Sequence, residues 1–417
     1  MRRCPTTGNP ACRLNRPGGR GDGQPPPHRL RFRPETSKGG VMNALNGALA
    51  KAVARNEVPF AVAMTANAGG ITWSGAAGDA GAGSVFRIYS MTKAIGSLAA
   101  MILIDRGLLS LDTPVADILP EWDDLPLLAG WDGETPVLRK PARTATIRHL
   151  ATHMSGLEYD MWSADTKRYL KSQNVPIAGT GRREALSRHP LTFEPGTRWG
   201  YGISTDWLGR VVEAVDGRRI DAFCQAEILD PLGMSDTVFE IAGRETRLAP
   251  AFQRNGDGGF DRIELGAPSN PEFYGMGHAL YSTAPDYLRF LRMVLNRGEL
   301  DGSRVLSEPA VDAFCADQMQ GKRFEKMITV APWRSADVDL FPGLPVTHSV
   351  AFQRVEADVP GKRAAGSLGW AGICNTHYWI DPARGLAAVF MTQLLPFVEP
   401  GALAAYDRFE RAVYATL

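Results

Sequence analysis

Residues 85–107 read VFRIYSMTKAIGSLAAMILIDRG. After Ser90, the apolar residues Ile95, Leu98, Met101, Ile102 and Ile104 recur at helical spacing, and Gly107 supplies the stop. The spacing therefore predicts a helix whose N-terminus lies at or beside Ser90. Positions i and i+3 of a helix share a face, so the Ser90 hydroxyl and the Lys93 amine come within hydrogen-bonding reach. A serine is a poor nucleophile until a base takes its proton. A lysine serves as that base only where burial or nearby positive charge brings its pKa down from about 10.4. The free N–H groups at a helix start also favour a developing oxyanion. Taken alone, S-x-x-K fits an N-cap serine with a surface lysine equally well.

Upstream, VPFAVAMTANA (58–68) and GITWSGAAG (70–78) are β-rich runs parted by Gly69-Gly70, which predicts a hairpin. A helix is expected from Met42. Residues 1–41 carry nine Lys and Arg against two acids and are rich in Pro and Gly. That composition predicts a disordered tail, and it lacks the apolar core of an export signal. Downstream, 111–285 looks helical and loop-rich, with Pro114, Pro120, Pro126, Pro136 and Pro141 cutting its first part into short pieces. The last third predicts an amphipathic helix at 286–298, strands at 348–355, 375–381 and 385–393, and a final helix near 400–415. The expected architecture is an α/β domain built from both chain ends (42–110 and 286–417), with a mostly helical domain (111–285) inserted between them.

Two further stretches carry chemistry. In FEPGTRWGYGIS (193–204), Pro195-Gly196 forces a turn that presents Tyr201 from a loop just before a helix beginning near Asp206. A tyrosine there shuttles protons if a cation such as Lys93 lowers its pKa; otherwise it is an ordinary buried tyrosine. In GSLGWAGICN (366–375), glycines allow a substrate to approach the backbone of the strand that follows, and a strand edge can donate an N–H to an oxyanion. A bulged strand with no ligand has the same composition.

In this order the three elements resemble those of the serine β-lactamase and penicillin-binding-protein superfamily, whose members carry S-x-x-K and later polar elements. The chain looks most like the class C branch and the family VIII carboxylesterases. TIRHLATHMSGL (146–157) is similar to that branch's T-I-R-x-L-L-x-H-x-S-G-L run, and DPLGM (230–234) to its P-L-G-M turn. The resemblance extends from about residue 45 to the end. It implies a β-lactamase-like α/β (α+β) fold, an antiparallel sheet flanked by helices. It further implies Ser90 as the acylated nucleophile, Lys93 as its base and Tyr201 as proton relay. Backbone N–H groups of Ser90 and Ile373 would form the oxyanion hole, and Trp370 would line the acyl or alcohol pocket.

The departures from that pattern bear on substrate. Ile203 stands where β-lactamases usually carry Asn, and Trp370-Ala371-Gly372 replaces Lys-Thr-Gly, with neither cation nor hydroxyl. An apolar surround made by Ile203 and Trp370 to Gly372 favours a small neutral ester over a carboxylate-bearing lactam. The expected activity is a serine carboxylesterase acting on short acyl esters. A β-lactamase, D-Ala-D-Ala peptidase or transacylase is the alternative, and a non-catalytic binding module that kept the fold is a more remote one.

Composition narrows the classes. The chain beyond the tail holds 37 basic and 43 acidic side chains, so no basic footprint for nucleic acid is expected. No apolar run approaches the ~20 residues of a membrane span. The five cysteines form no C-x-x-C pair, which suggests neither a disulfide framework nor a zinc site and fits a reducing, cytoplasmic setting. His149 and His153 are spaced i, i+4, but without a completing carboxylate they read as structural, and no metal or organic cofactor is expected. No G-x-S-x-G nucleophile elbow occurs.

Overall fold

The computed structural model of the chain describes residues 38–417. The disorder expected of the first 37 residues lies outside this range. The hairpin about Gly69-Gly70 forms as β1 (Ala61–Asn67) and β2 (Gly70–Ala77). Two short strands follow, β3 (Phe86–Arg87) and, far along the chain, β4 (Tyr281–Ser282), and they pair with each other. The C-terminal part adds β5 (Val346–His348), β6 (Gln353–Val355), β7 (Leu368–Gly372), β8 (Thr376–Asp381) and β9 (Leu386–Met391). Together with β1 and β2 these make a seven-stranded antiparallel sheet in the order β5-β6-β7-β8-β9-β1-β2. Both chain ends thus build one sheet, joined where β9 pairs with β1.

Side-chain alternation decides what covers each face. Along β1, Ala61 and Ala63 belong to a core with Leu45 and Leu49 of α1 (Lys38–Ala54) and Phe409 of the final helix, Pro400–Ala415. Val62 and Met64 point the other way, into the main core with Leu98 of α2 (Thr92–Asp105) and Leu291 of the helix Ala284–Leu295. In chain order the remaining helices used below are α3 (Ile147–Ala151), α4 (Ser204–Asp216), α5 (Ala284–Leu295) and α6 (Pro400–Ala415).

Several expectations need correction. α1 begins at Lys38, four residues ahead of Met42, so the expected tail overlaps a helix at 38–41. The run 348–355 is a hairpin rather than one strand. Ser349 breaks it, because its Oγ accepts the N–H groups of Ala351 and Phe352 and turns the chain between β5 and β6. The glycine-rich stretch near 370 is itself strand β7 rather than a lead-in to the next strand: Leu368 and Gly369 pair with both β6 and β8, while Trp370, Ala371 and Gly372 pair with β8 alone and leave their other edge open. Segment 111–285 also holds β hairpins, at 127–139 and 251–263, beside its short helices.

The loop that feeds β7 is tied down by a buried ion pair. Arg363 Nε donates to Glu410 Oε1 of α6 at 2.7 Å, and both residues are buried. Breaking such a pair from one side strands a charge in the interior, at a cost of about 3–5 kcal/mol. Glu410→Leu is therefore expected to lower Tm sharply in calorimetry; an unchanged Tm would show that the pair does not anchor the loop.

Candidate functional site

Between β3 and α2 the chain turns abruptly. Tyr89 adopts φ +43°, a left-handed conformation that costs a non-glycine residue about 1–3 kcal/mol. A single 3₁₀ turn, Tyr89–Met91, then leads into α2. Ser90 accordingly sits in the first turn, as its spacing predicts. Bonds from outside hold this turn in place: Leu280 N–H donates to Thr92 Oγ1 at 3.1 Å, and Tyr287 OH donates to Met91 O at 2.9 Å.

Lys93 is buried on the same face. Its Nζ lies 3.2 Å from Ser90 Oγ, 3.0 Å from Tyr159 OH and 2.9 Å from Gly277 O. A neutral amine has two N–H donors and one lone pair. Gly277 O can only accept and the Tyr159 oxygen can accept, so the lone pair is left for the Ser90 proton. Burial brings the Lys93 pKa down to about 7, opposed by the Asp206 carboxylate, which favours the ammonium. The amine is thus available as a base near neutral pH.

Tyr201 is buried, in a loop directly before α4. Trp370 Nε1 donates to its OH at 2.8 Å, and Lys93 Nζ lies over its ring, 4.7 Å from the centroid. Of the two alternatives, a cation-lowered phenol and an ordinary buried tyrosine, the surroundings favour the second. Burial lifts the phenol above its ordinary value, against the hydrogen-bonding influence of Ser90 and Trp370, which lowers it. Tyr201 therefore remains a neutral hydroxyl, with one lone pair taken by Trp370 and its own proton free to point elsewhere. His153 packs on its ring, 4.7 Å between centroids, while His149 belongs to the capping box of α3.

β7 closes the site from the sheet side. A Cβ on Gly372 would lie 2.4 Å from Ile88 O, so the strand end and the Ser90 turn meet backbone to backbone. This close approach brings Ile373 beside Ser90. Ser90, Tyr201, Trp370, Ala371 and Ile373 all line one cleft, whose empty volume, mouth included, is about 720 Å³. Ile203 is buried in the main core and Gly372 in the strand contact; neither lines the cleft.

Sequence reasoning missed several lining and supporting groups. Tyr159 follows the 146–157 run by two residues, and its backbone N–H bonds Tyr201 O at 3.0 Å. Asp206, Gly277 and His278 come from α4 and the segment before β4, with Gly277 N–H donating to Asp206 Oδ1 at 2.7 Å. The cleft also holds cations that the third motif does not supply. Arg334 is paired with Asp160 at 3.0 Å, and buried Arg87 donates to Leu265 O at 3.0 Å. The surround is therefore less apolar than Trp370 and Ile203 alone imply.

Residues 45–412 match the family model described as Beta-lactamase. Esterase EstB of Burkholderia gladioli is 32% identical over 381 residues, covering 84% of this chain and 89% of EstB. Lovastatin esterase of Penicillium rubens is 31% identical over 319 residues, covering 73% of this chain and 78% of that one. Among solved structures, a variant of simvastatin synthase (LovD) from Aspergillus terreus superposes with a TM-score of 0.76 at 26% identity, over 90% of this chain and 98% of that chain. With its fold, its site and matches over this length, the chain belongs to the beta-lactamase family and is an enzyme of the serine-hydrolase type found there.

Proposed function

We propose that the protein is a carboxylesterase that cleaves short-chain acyl esters through an acyl group carried on Ser90 Oγ. The observation that carries this reading is the direct contact of buried Lys93 Nζ with Ser90 Oγ, at 3.2 Å. Neutral Lys93 takes the Ser90 proton as Oγ attacks the ester carbonyl. The N–H groups of Ser90 and Ile373 receive the oxyanion. As the C–O bond breaks, the proton returns to the departing alcohol from the Lys93 ammonium, with the neutral Tyr201 hydroxyl relaying it. Water then enters by the reverse sequence and releases the acid. The named activities of EstB and lovastatin esterase support ester chemistry; the name of simvastatin synthase supports acyl transfer to an alcohol as a second outcome of the same acyl-enzyme. The free thiols of Cys224, Cys315 and Cys374 fit action in a reducing compartment such as the cytoplasm.

Two assays test this reading. Purified protein is expected to turn over p-nitrophenyl butyrate with a kcat/KM about 100-fold or more above that for nitrocefin, since Trp370-Ala371-Gly372 offers a lactam carboxylate no cation and the cleft's Arg334 and Arg87 are already engaged by Asp160 and Leu265 O. Equal or greater efficiency on nitrocefin would reverse the assignment. Because the base works only when deprotonated, kcat/KM for the ester should rise with pH along a limb centred near the Lys93 value of about 7. A profile flat from pH 5 to 9 would remove Lys93 from the base role.

A further inference from the structure

Asp206, in the first turn of α4, is fully buried. A carboxylate out of water is costly unless something compensates its charge. Its Oδ1 accepts the Gly277 N–H at 2.7 Å, and its Oδ2 has no hydrogen-bond partner among the described residues. The same Gly277 turns its carbonyl to Lys93 Nζ at 2.9 Å. The surrounding backbone is shaped to the carboxylate. A Cβ on Gly277 would come within 2.9 Å of both Asp206 Oδ1 and Tyr159 OH, and one on Gly275 within 2.8 Å of Asp206 Oδ1.

We propose that Asp206 is a positioning residue of the active site, whose carboxylate, acting across Gly277, is the counter-charge for the ammonium that Lys93 becomes when it takes the Ser90 proton. This rests on the acyl-enzyme reading above and extends it to a residue that does not touch substrate. The other groups around Lys93 cannot supply the charge. Ser90 is a hydroxyl, and Tyr159 and Tyr201 are held neutral by burial. His153, His278 and His348 are likewise kept uncharged by burial, which lowers each below its ordinary value. Asp206 is the anion that acts on Lys93. Its placement explains how a fully enclosed lysine both gives up its proton near neutrality and accepts another within each cycle.

The test is Asp206→Asn, which keeps the shape and removes the charge. Without the anion the ammonium is less stable, so the acid limb of kcat/KM for p-nitrophenyl butyrate should move to lower pH by about one pH unit or more. kcat on the plateau should fall about tenfold with KM unchanged. Asp206→Ser, smaller and free of packing conflict, carries the same expectation if the Asn variant folds poorly. A second readout does not depend on turnover: in the Ser90→Ala protein, NMR titration of the Lys93 side chain should give a lower midpoint once Asp206→Asn is added. If that midpoint or the limb stays in place or rises, the proposal is overturned. If the midpoint falls while no ester is hydrolysed, the proposal stands and the esterase reading fails.

Discussion

Lys93→Met is expected to reduce kcat/KM for short acyl esters by about 10³- to 10⁴-fold while leaving the fold intact. The loss follows from two roles in one side chain. In the proposed cycle Lys93 takes the Ser90 proton and later returns a proton to the leaving group; positioned acid–base catalysis of this kind is worth about 10²–10⁴. The reason to expect a sound fold is equally physical. Lys93 is buried, and its ammonium carries a desolvation cost that methionine, of similar length and flexibility, does not. Against this, the buried Asp206 carboxylate loses its counter-charge, so the comparison is made at a temperature where the melting curve shows the variant folded, which separates lost chemistry from lost structure. A variant that keeps activity within tenfold would show that another group deprotonates Ser90. Tyr201 is a poor substitute, since burial keeps its proton in place.

Gly372→Ala is the second change with a large expected effect, although it adds one methyl group and touches no reacting atom. The new Cβ would sit 2.4 Å from Ile88 O and 2.4 Å from Thr376 Oγ1. Ile88 O is backbone, already accepts Met91 N–H at 3.1 Å, and is followed by the left-handed Tyr89, so it has little room to yield. The strand end must move away instead, carrying Ile373 with it. The Ile373 N–H is an oxyanion donor in the proposed mechanism, and misplacing such a donor by about 1 Å costs on the order of 10² in kcat. The overpacking itself should destabilise the protein by about 1–3 kcal/mol. Steady-state kinetics and a melting curve on the same sample read both effects. Wild-type kcat in a folded Gly372→Ala protein would mean that the β7 contact does not set the site.

How far the sequence foretold this site depends on how each residue reaches it. Ser90 and Lys93 are joined by helical spacing alone, so their meeting was legible from four residues. The β1–β2 hairpin was legible because Gly69-Gly70 separates two β-rich runs. β7 was obscured because Leu368-Gly369-Trp370-Ala371-Gly372 has no clear apolar alternation; pairing along its whole length with β8, and not side-chain pattern, makes it a strand. The turn at Ser349 was hidden inside an apolar run, since a hydroxyl that caps two N–H groups looks the same in sequence as one facing solvent.

Tyr159, Asp206 and Gly277 were missed for a different reason. They converge on Lys93 through tertiary contacts among separate segments, with no local spacing to reveal them. Tyr201 lies in the loop before α4 as expected, while the sequence leaves its protonation open between a cation-lowered phenol and an ordinary buried tyrosine. Burial is the larger influence on that phenol, and residue order does not show how deeply a loop tyrosine is enclosed. Ile203 shows the converse limit: Tyr201, two residues earlier, reaches the cleft, while the Ile203 side chain turns into the main core.

The claim on which the rest depends is the covalent intermediate. Mixing the protein with p-nitrophenyl butyrate, quenching in acid during turnover and mapping the digest by mass spectrometry tests it directly. One butyryl group is expected on the peptide that bears Ser90, absent from the Ser90→Ala protein. Sustained ester turnover with no adduct at Ser90, or with the acyl group on another side chain, would contradict it.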